Sequence, residues 1–303
     1  MKRRSLLLLL TLALLAANAA LFLQRDRFAY HAYSSERALY ADPQEWDGLA
    51  ADLRADDKRA AADELREAGL TTQGRTTEQA VLAITSYLEQ RLARNPQGPP
   101  SARTLALSDY SAYRYLCQQP GESLQCGTYS RTVLLFCSAA GIRTRYIQLV
   151  NPGDDHVFNE CFLPETGRWM LVDLSNNQLA ARRDGKLLTA LEFRRAVQTQ
   201  MAVTVDRSGP AGTRPEPLDK GARYIRSYYT RRVPYFYYHT LNLESTYSLK
   251  NKLERYFLPV SWYEIYTETP GSNAWFFARL TMAVAGMLAV LFLGWTLIRD
   301  KHD

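Results

Sequence analysis

The chain has 303 residues, with 37 Lys and Arg against 31 Asp and Glu, a formal charge of +6 and a pI near 9.1. That length holds one large domain or two small ones. The charge excess is modest and its arginines are scattered, with no basic helix and no base-stacking motif, which argues against nucleic acid as a partner and for a solvated face or a complement to anionic lipid.

Lys2-Arg3-Arg4 precedes an apolar run from Leu6 to Leu23, broken only by Thr11 and Asn18 and ended by Gln24-Arg25-Asp26. The run is long enough to cross a bilayer as a helix. A signal peptide cut near Ala17-Asn18-Ala19 is the rival reading, but the apolar run continues to Leu23, which favours an uncleaved anchor over residues 1–24. At the other end, Leu280 to Ile298 carries no charge and has Trp275 and Trp295 placed as interfacial aromatics. This reads as a transmembrane helix over 274–298 with a tail of 299–303, and Arg279 lies where a long side chain can snorkel to the interface. Lys2, Arg3 and Arg4 at one end and Arg299 and Lys301 at the other place both termini in the cytoplasm. The expectation is a two-pass protein of the inner membrane, with its central part in the periplasm and membrane lipid around its anchors.

Between the anchors, residues 25–103 read as a helical extracytoplasmic segment. Asp42-Pro43-Gln44-Glu45 is a helix start, with Asp42 as cap, Pro43 in the first turn and Glu45 closing a capping box. Trp46, Leu49, Leu53 and Leu65 form its apolar stripe, and Gly69 is its stop. A second start falls at Thr76, with Gln79 three residues on and Val81, Ile84, Leu88 and Leu92 on one face, up to Asn95-Pro96. Gln97-Gly98-Pro99-Pro100 is a loop.

Residues 104–205 read as an α+β core. Cys126, Ser130, Val133, Leu134 and Cys137 recur as the face of a buried helix ending at Gly141. Strand-like runs follow over 144–150, 157–163 and 169–174, separated by Asn151-Pro152-Gly153 and Pro164-Glu165-Thr166-Gly167, so the sheet should be antiparallel. Residues 188–197 predict another helix. Asp206 to Lys220, with Gly209, Pro210, Gly212, Pro215 and Pro217, reads as a loop. Tyr224 to Tyr266 holds ten of the nineteen tyrosines. Two readings stand for it: a membrane-proximal subdomain with interfacial tyrosines, or a docking surface for a glycan or a partner protein. Residues 206–273 are therefore assigned to a loop and a tyrosine-rich, membrane-proximal segment.

An even number of cysteines in an oxidising compartment normally means two disulfides. A reactive thiol at Cys126 breaks that arithmetic and leaves at most one bridge among Cys117, Cys137 and Cys161. Cys126 opens a helix, where unpaired N–H groups and the dipole favour a thiolate. Of the four histidines, His31 lies near the first anchor, His239 in the tyrosine-rich stretch and His302 in the tail. Only His156 falls within the α+β pattern. Asp173 follows one turn and one strand later on the face of Trp169 and Leu171, where a carboxylate needs a partner and an imidazolium suits it. Cys137 should be core, Cys161 should point to the opposite side of its strand from His156, and Arg145 and Glu160 read as a structural ion pair or as surface charges.

Cys126-Gly127-Thr128-Tyr129-Ser130, the helix to Gly141-Ile142-Arg143-Thr144-Arg145, Asp155-His156-Val157-Phe158-Asn159-Glu160 and Trp169-Met170-Leu171-Val172-Asp173 together resemble the core of the transglutaminase-like superfamily. The resemblance covers about residues 104 to 180. It implies a papain-like core, in which the cysteine-bearing helix packs on an antiparallel sheet, flanked here by helices and the two transmembrane segments. It also implies a triad, with Cys126 as nucleophile, His156 as base and Asp173 as orienting acid. Gly141-Ile142 and Arg145 match the family's turn and arginine, and Glu160 its acidic residue four after the histidine. Phe158 stands where tryptophan is common and Leu174 where proline is common, and neither change removes a chemical group.

The implied activity is that of a membrane-anchored periplasmic thiol enzyme, which cleaves or transfers an amide or peptide acyl group of a peptide or protein substrate through a Cys126 thioester. Hydrolysis is favoured over transfer because water is always available. The Cys126 N–H and Gln118, Gln119 or Gln125 are the candidate oxyanion donors. No metal or cofactor is called for, and the four cysteines lack zinc spacing. The alternative is a non-catalytic scaffold with a partner protein in an envelope assembly for polysaccharide or protein export.

Overall fold

The computed structural model describes residues 3–24, 29–151, 155–210, 212–230, 232–241, 249–259 and 261–299. Lys2, Arg25, Asp26, the Pro152-Gly153 turn, residues 242–248 of the tyrosine-rich stretch, Lys301 and His302 lie outside them. The chain divides into two units, Met1–Tyr33 with Asn242–Trp262 and Thr269–Asp303, and Ser34–Leu241 with Tyr263–Glu268.

The first unit contains helices Arg3–Leu23, Leu249–Phe257 and Ala274–Arg299. Ser5–Leu23 and Ala274–Thr296 are long and apolar enough to cross a membrane. Their packing follows the small-residue rule of lipid-embedded helices. A Cβ on Gly286 would lie 2.8 Å from Asn18 Nδ2, so a larger residue there would push the Asn18 side chain from its present place. Asn18 Nδ2 donates to the carbonyls of Leu14 and Met282, and Tyr256 Oη donates to Asn18 Oδ1. Trp275 and Trp295 are exposed, as the sequence predicts. Arg279 does not snorkel outward: it is buried, and its Nη2 donates to the Tyr256 carbonyl at 2.8 Å. The guanidinium lies over the rings of Tyr256 and Phe276, which lets the charge sit against the fold.

In the second unit, five strands form the main sheet in the order Tyr263–Tyr266, Tyr235–Tyr238, Thr144–Leu149, His156–Leu163, Arg168–Val172, every neighbour antiparallel. Strand alternation gives each face its own core. Cys161, Leu163, Met170 and Val172 face Val133, Leu134 and Phe136 of the helix Cys126–Ala139, together with Val81, Ile84 and Leu88 of the helix Thr77–Leu92. Phe158, Trp169, Leu171, Tyr235 and Tyr237 face Leu191 and Phe193 of the helix Ala190–Gln198. A second antiparallel sheet has the order Lys186–Leu187, Ala180–Arg183, Thr204–Gly209, Gly212–Pro217.

The capping box at Thr76 forms as predicted, with Thr76 Oγ1 accepting from the Gln79 N–H and Gln79 Oε1 accepting from the Thr76 N–H. Gly69, at φ +66°, supplies the left-handed residue that ends Ala55–Glu67. Three sequence expectations change. The helix predicted from Asp42 to Gly69 is broken into a 3-10 turn Pro43–Trp46 and helices Gly48–Asp52 and Ala55–Glu67. Trp46 enters one core while Leu49, Leu53 and Leu65 enter the other, which one straight helix cannot provide. Most of the predicted loop over 206–220 belongs to the hairpin Thr204–Gly209 and Gly212–Pro217, and Pro215 and Pro217 occupy its edge strand, where a missing N–H costs no ladder bond. Two strands of the main sheet come from the tyrosine-rich stretch, and Tyr229, Tyr235 and Tyr237 are fully buried rather than interfacial. The core predicted over 104–205 is thus part of a unit that begins at Ser34 and takes in the 263–268 strand segment.

Arg145 and Glu160 form a structural ion pair at the centre of the second core, both at 0% exposure. They stand directly opposite each other on neighbouring strands. Arg145 also donates to the Leu39 carbonyl and lies over the rings of Tyr40, Trp46, Trp169 and Tyr237. The remaining Glu160 oxygen accepts from Tyr40 Oη and the Ala190 N–H.

Candidate active site

Cys126 is the first residue of its helix, and Gln125 before it is extended and provides no side-chain cap. The Thr128 and Tyr129 N–H groups reach the Gln125 carbonyl, which leaves those of Cys126 and Gly127 without an acceptor inside the helix. Buried Val133, Leu134, Phe136 and Cys137 fix the helix from its apolar side. Arg131 is held by two bonds to Asp109, at 2.6 and 2.9 Å.

His156 begins its strand and is 2% exposed. Its Nε2 lies 2.8 Å from Asp173 Oδ2, and the ring lines the same cleft as Cys126, close enough for the thiol to act on it. With Nε2 committed to Asp173, Nδ1 is the nitrogen left to serve the thiol. Burial opposes the imidazolium most strongly, but the Asp173 carboxylate and Cys126 outweigh it and raise the His156 pKa to about 9.

Asp173 lies just past the end of its strand, where its N–H and carbonyl bond the carbonyl and N–H of Gln178. Asn177, at φ +49°, makes the tight return between them. Asp173 Oδ1 accepts from Ser175 Oγ at 3.0 Å, and Oδ2 accepts from Asn176 Nδ2 at 2.8 Å and Tyr229 Oη at 3.0 Å. Burial pushes this carboxyl upward, but His156 and the surrounding donors hold it below the ordinary carboxylate range. The anion is therefore kept at neutral pH despite complete burial.

The structure thus places Cys126 beside the hydrogen-bonded His156–Asp173 pair, and Cys126 and His156 face a cleft of about 520 Å³ that Gln97, Gln125, Asp155, Arg223 and Tyr224 also line. Of the candidate oxyanion donors, Gln125 lines this cleft, whereas Gln118 and Gln119 do not. Sequence reasoning missed Asn176, Tyr228 and Tyr229, the last two signalled only by the local density of tyrosines. All four cysteines are free thiols. Cys137 and Cys161 are buried with their sulfurs 4.0 Å apart, while Cys117 is half-buried elsewhere. His239 stacks on Trp46 and lies 3.3 Å from Glu264, away from the cluster. Among the described residues, no group of three or more His, Cys, Asp or Glu side chains is arranged to hold a metal ion.

Residues 65–174 match the profile of the Transglutaminase-like superfamily. The chain therefore carries a transglutaminase-like domain with a mixed helix and sheet architecture. A solved structure of a candidate cysteine protease from Cytophaga hutchinsonii is 19% identical, over 41% of this chain and 44% of that one, with a TM-score of 0.29. The chain spans less than half the length of that neighbour. No match was found among curated proteins.

Proposed function

We propose that the transglutaminase-like domain works as a thiol acyl enzyme, anchored in the inner membrane by its two terminal apolar helices, with both termini cytoplasmic and the Cys126 cleft in the periplasm. The observation that carries this reading is Cys126 at a helix N-terminus beside the hydrogen-bonded His156–Asp173 pair on a 520 Å³ cleft. Cys126 Sγ attacks the carbonyl carbon of an amide or peptide bond, its proton passing to His156 Nδ1. The oxyanion forms beside the unpaired N–H groups of Cys126 and Gly127, with Gln125 at the cleft wall. The intermediate collapses as His156 protonates the leaving amine, which departs and leaves an acyl thioester on Cys126. His156 then takes a proton from water, the resulting hydroxide attacks the thioester, and the carboxylic acid leaves as the thiol regains its proton. An amine in place of water would give transfer instead. Asp173 holds the ring and balances the imidazolium throughout.

The substrate class is a peptide or protein amide. The test is an activated acyl ester offered to the purified full-length protein, followed by peptide mass mapping. Selective acylation of Cys126 that disappears in His156→Ala is the expected result. Slow, even acylation of Cys126 and Cys117 that ignores the His156 substitution would point instead to a non-catalytic scaffold serving a membrane partner.

A further inference from the structure

Two tyrosines far along the chain from residues 65–174 also contact the His156–Asp173 pair. The Tyr228 ring lies parallel to the His156 imidazole, with centroids 4.3 Å apart and an interplanar angle of 8°. Tyr229 Oη donates at 3.0 Å to Asp173 Oδ2, the oxygen that faces His156 Nε2. Burial and the Asp173 charge push the Tyr229 hydroxyl well above its ordinary range, so it remains a donor. Neighbouring residues thus engage the two members of the pair separately, one through a ring face and one through a hydroxyl.

Both tyrosines belong to a single π-helical turn, Ile225–Tyr229, closed by the Thr230 N–H on the Ile225 carbonyl. Such turns are rare and are found frequently at functional sites. This one is fastened to the site loop. Arg207 Nη1 donates to the carbonyls of Asn176 and Asn177, and its Nη2 donates to Tyr224 Oη just before the turn. Tyr229 is further locked by Phe158 and Phe193 against its ring.

Resting on the thiol-enzyme reading, we infer that Tyr228 and Tyr229 are positioning residues of that reaction: Tyr229 fixes the Asp173 oxygen that carries the imidazolium, and Tyr228 holds the imidazole plane toward Cys126. The polar contacts of the His156 ring with Asp173 and Asn176 both fall on Nε2 and leave the ring free to rock about that end. A parallel aromatic face removes that freedom and favours the cationic ring. On the other side, Asp173 Oδ2 shares its charge among His156, Asn176 and Tyr229, so the carboxylate cannot turn without losing a donor.

The test uses the full-length protein with Tyr228→Phe, Tyr228→Leu and Tyr229→Phe, and two readouts. These are the rate of Cys126 acylation by the activated ester, and the His156 titration followed by NMR of a histidine-labelled sample. Tyr228→Phe keeps the stacked ring and is expected to stay closer to wild type than Tyr228→Leu in both. Tyr228→Leu should slow acylation about two- to tenfold, the worth of one aromatic pair, and lower the His156 pKa. Tyr229→Phe keeps the buried ring, and so the fold, but removes a donor from Asp173. The carboxylate then holds the imidazolium proton more strongly and the His156 pKa rises further. Wild-type rates and an unmoved titration in both Tyr228→Leu and Tyr229→Phe would overturn the inference while leaving the thiol-enzyme reading intact. Absence of Cys126 acylation in wild type would instead sink that reading, and the titration shifts would still show whether the tyrosines hold the pair.

Discussion

The strand His156–Leu163 carries two buried ion pairs four residues apart, on the same face, with opposite characters. Arg145–Glu160 is closed on every side by a carbonyl, an N–H, a hydroxyl and four aromatic rings. His156–Asp173 is equally buried at its carboxylate but opens through Cys126 onto the cleft. A guanidinium keeps its proton at any pH at which the protein folds, so the first pair can only hold strands together. An imidazole raised to about 9 carries a proton it can still give up, so the second pair can move one. Burial of charge is common to both; access and a titrating partner separate them.

Substitutions should divide along this line. His156→Ala is expected to lower Cys126 acylation on the order of 10²- to 10⁴-fold, and to cost some stability because buried Asp173 loses its cation, though Ser175, Asn176 and Tyr229 still donate to that carboxylate. Acylation kinetics read beside circular dichroism check both halves. Glu160→Ala strands Arg145 as an unpaired buried charge and should cost about 3–5 kcal/mol of stability in a denaturant titration. The double variant Arg145→Met with Glu160→Met should lose less than that single change, since two apolar side chains leave no orphaned charge. If the double variant were worse than the single one, the pair would be stabilising in its own right and the contrast would weaken.

Of the two pairs, His156–Asp173 is the one that should lose its cation at alkaline pH. The folded His156 pKa is raised above its unfolded value near 6.5, so its contribution to stability is complete below about 6.5 and is lost as the pH climbs through about 9. Asp173 is depressed, so its contribution is present above about 3.9 and is lost as the pH falls through its lower folded value. Stability measured against pH should therefore decline on the alkaline side through that window. Asp173→Asn should flatten the decline, since most of what raises His156 is the Asp173 charge.

Much of this contrast is legible in the residues. Cys126 at the head of a buried helical face, His156 as the one histidine inside the α+β pattern and Asp173 on an apolar strand face are local signals, and Arg145 with Glu160 read correctly as a structural pair among the alternatives considered. The tyrosine-rich strands are less legible. Tyr235–Tyr238 shows no alternation of polar with apolar residues, because both faces of a central strand take tyrosine, and its partner Tyr263–Tyr266 lies some distance along the chain. Pro215 and Pro217 hide an edge strand as a loop. Tyr228 and Tyr229 have no signature beyond the local density of tyrosines, since a single π turn has no period to detect and their targets are more than fifty residues away.

The most direct test of the account is the His156 titration in wild type and in Cys126→Ala. A thiol that shares the histidine's proton predicts an apparent pKa near 9 in wild type and a lower value once the Cys126 side chain is gone. A wild-type value near 6.5, unchanged by Cys126→Ala, would show that neither Asp173 nor Cys126 acts on the ring and would contradict the proposed chemistry.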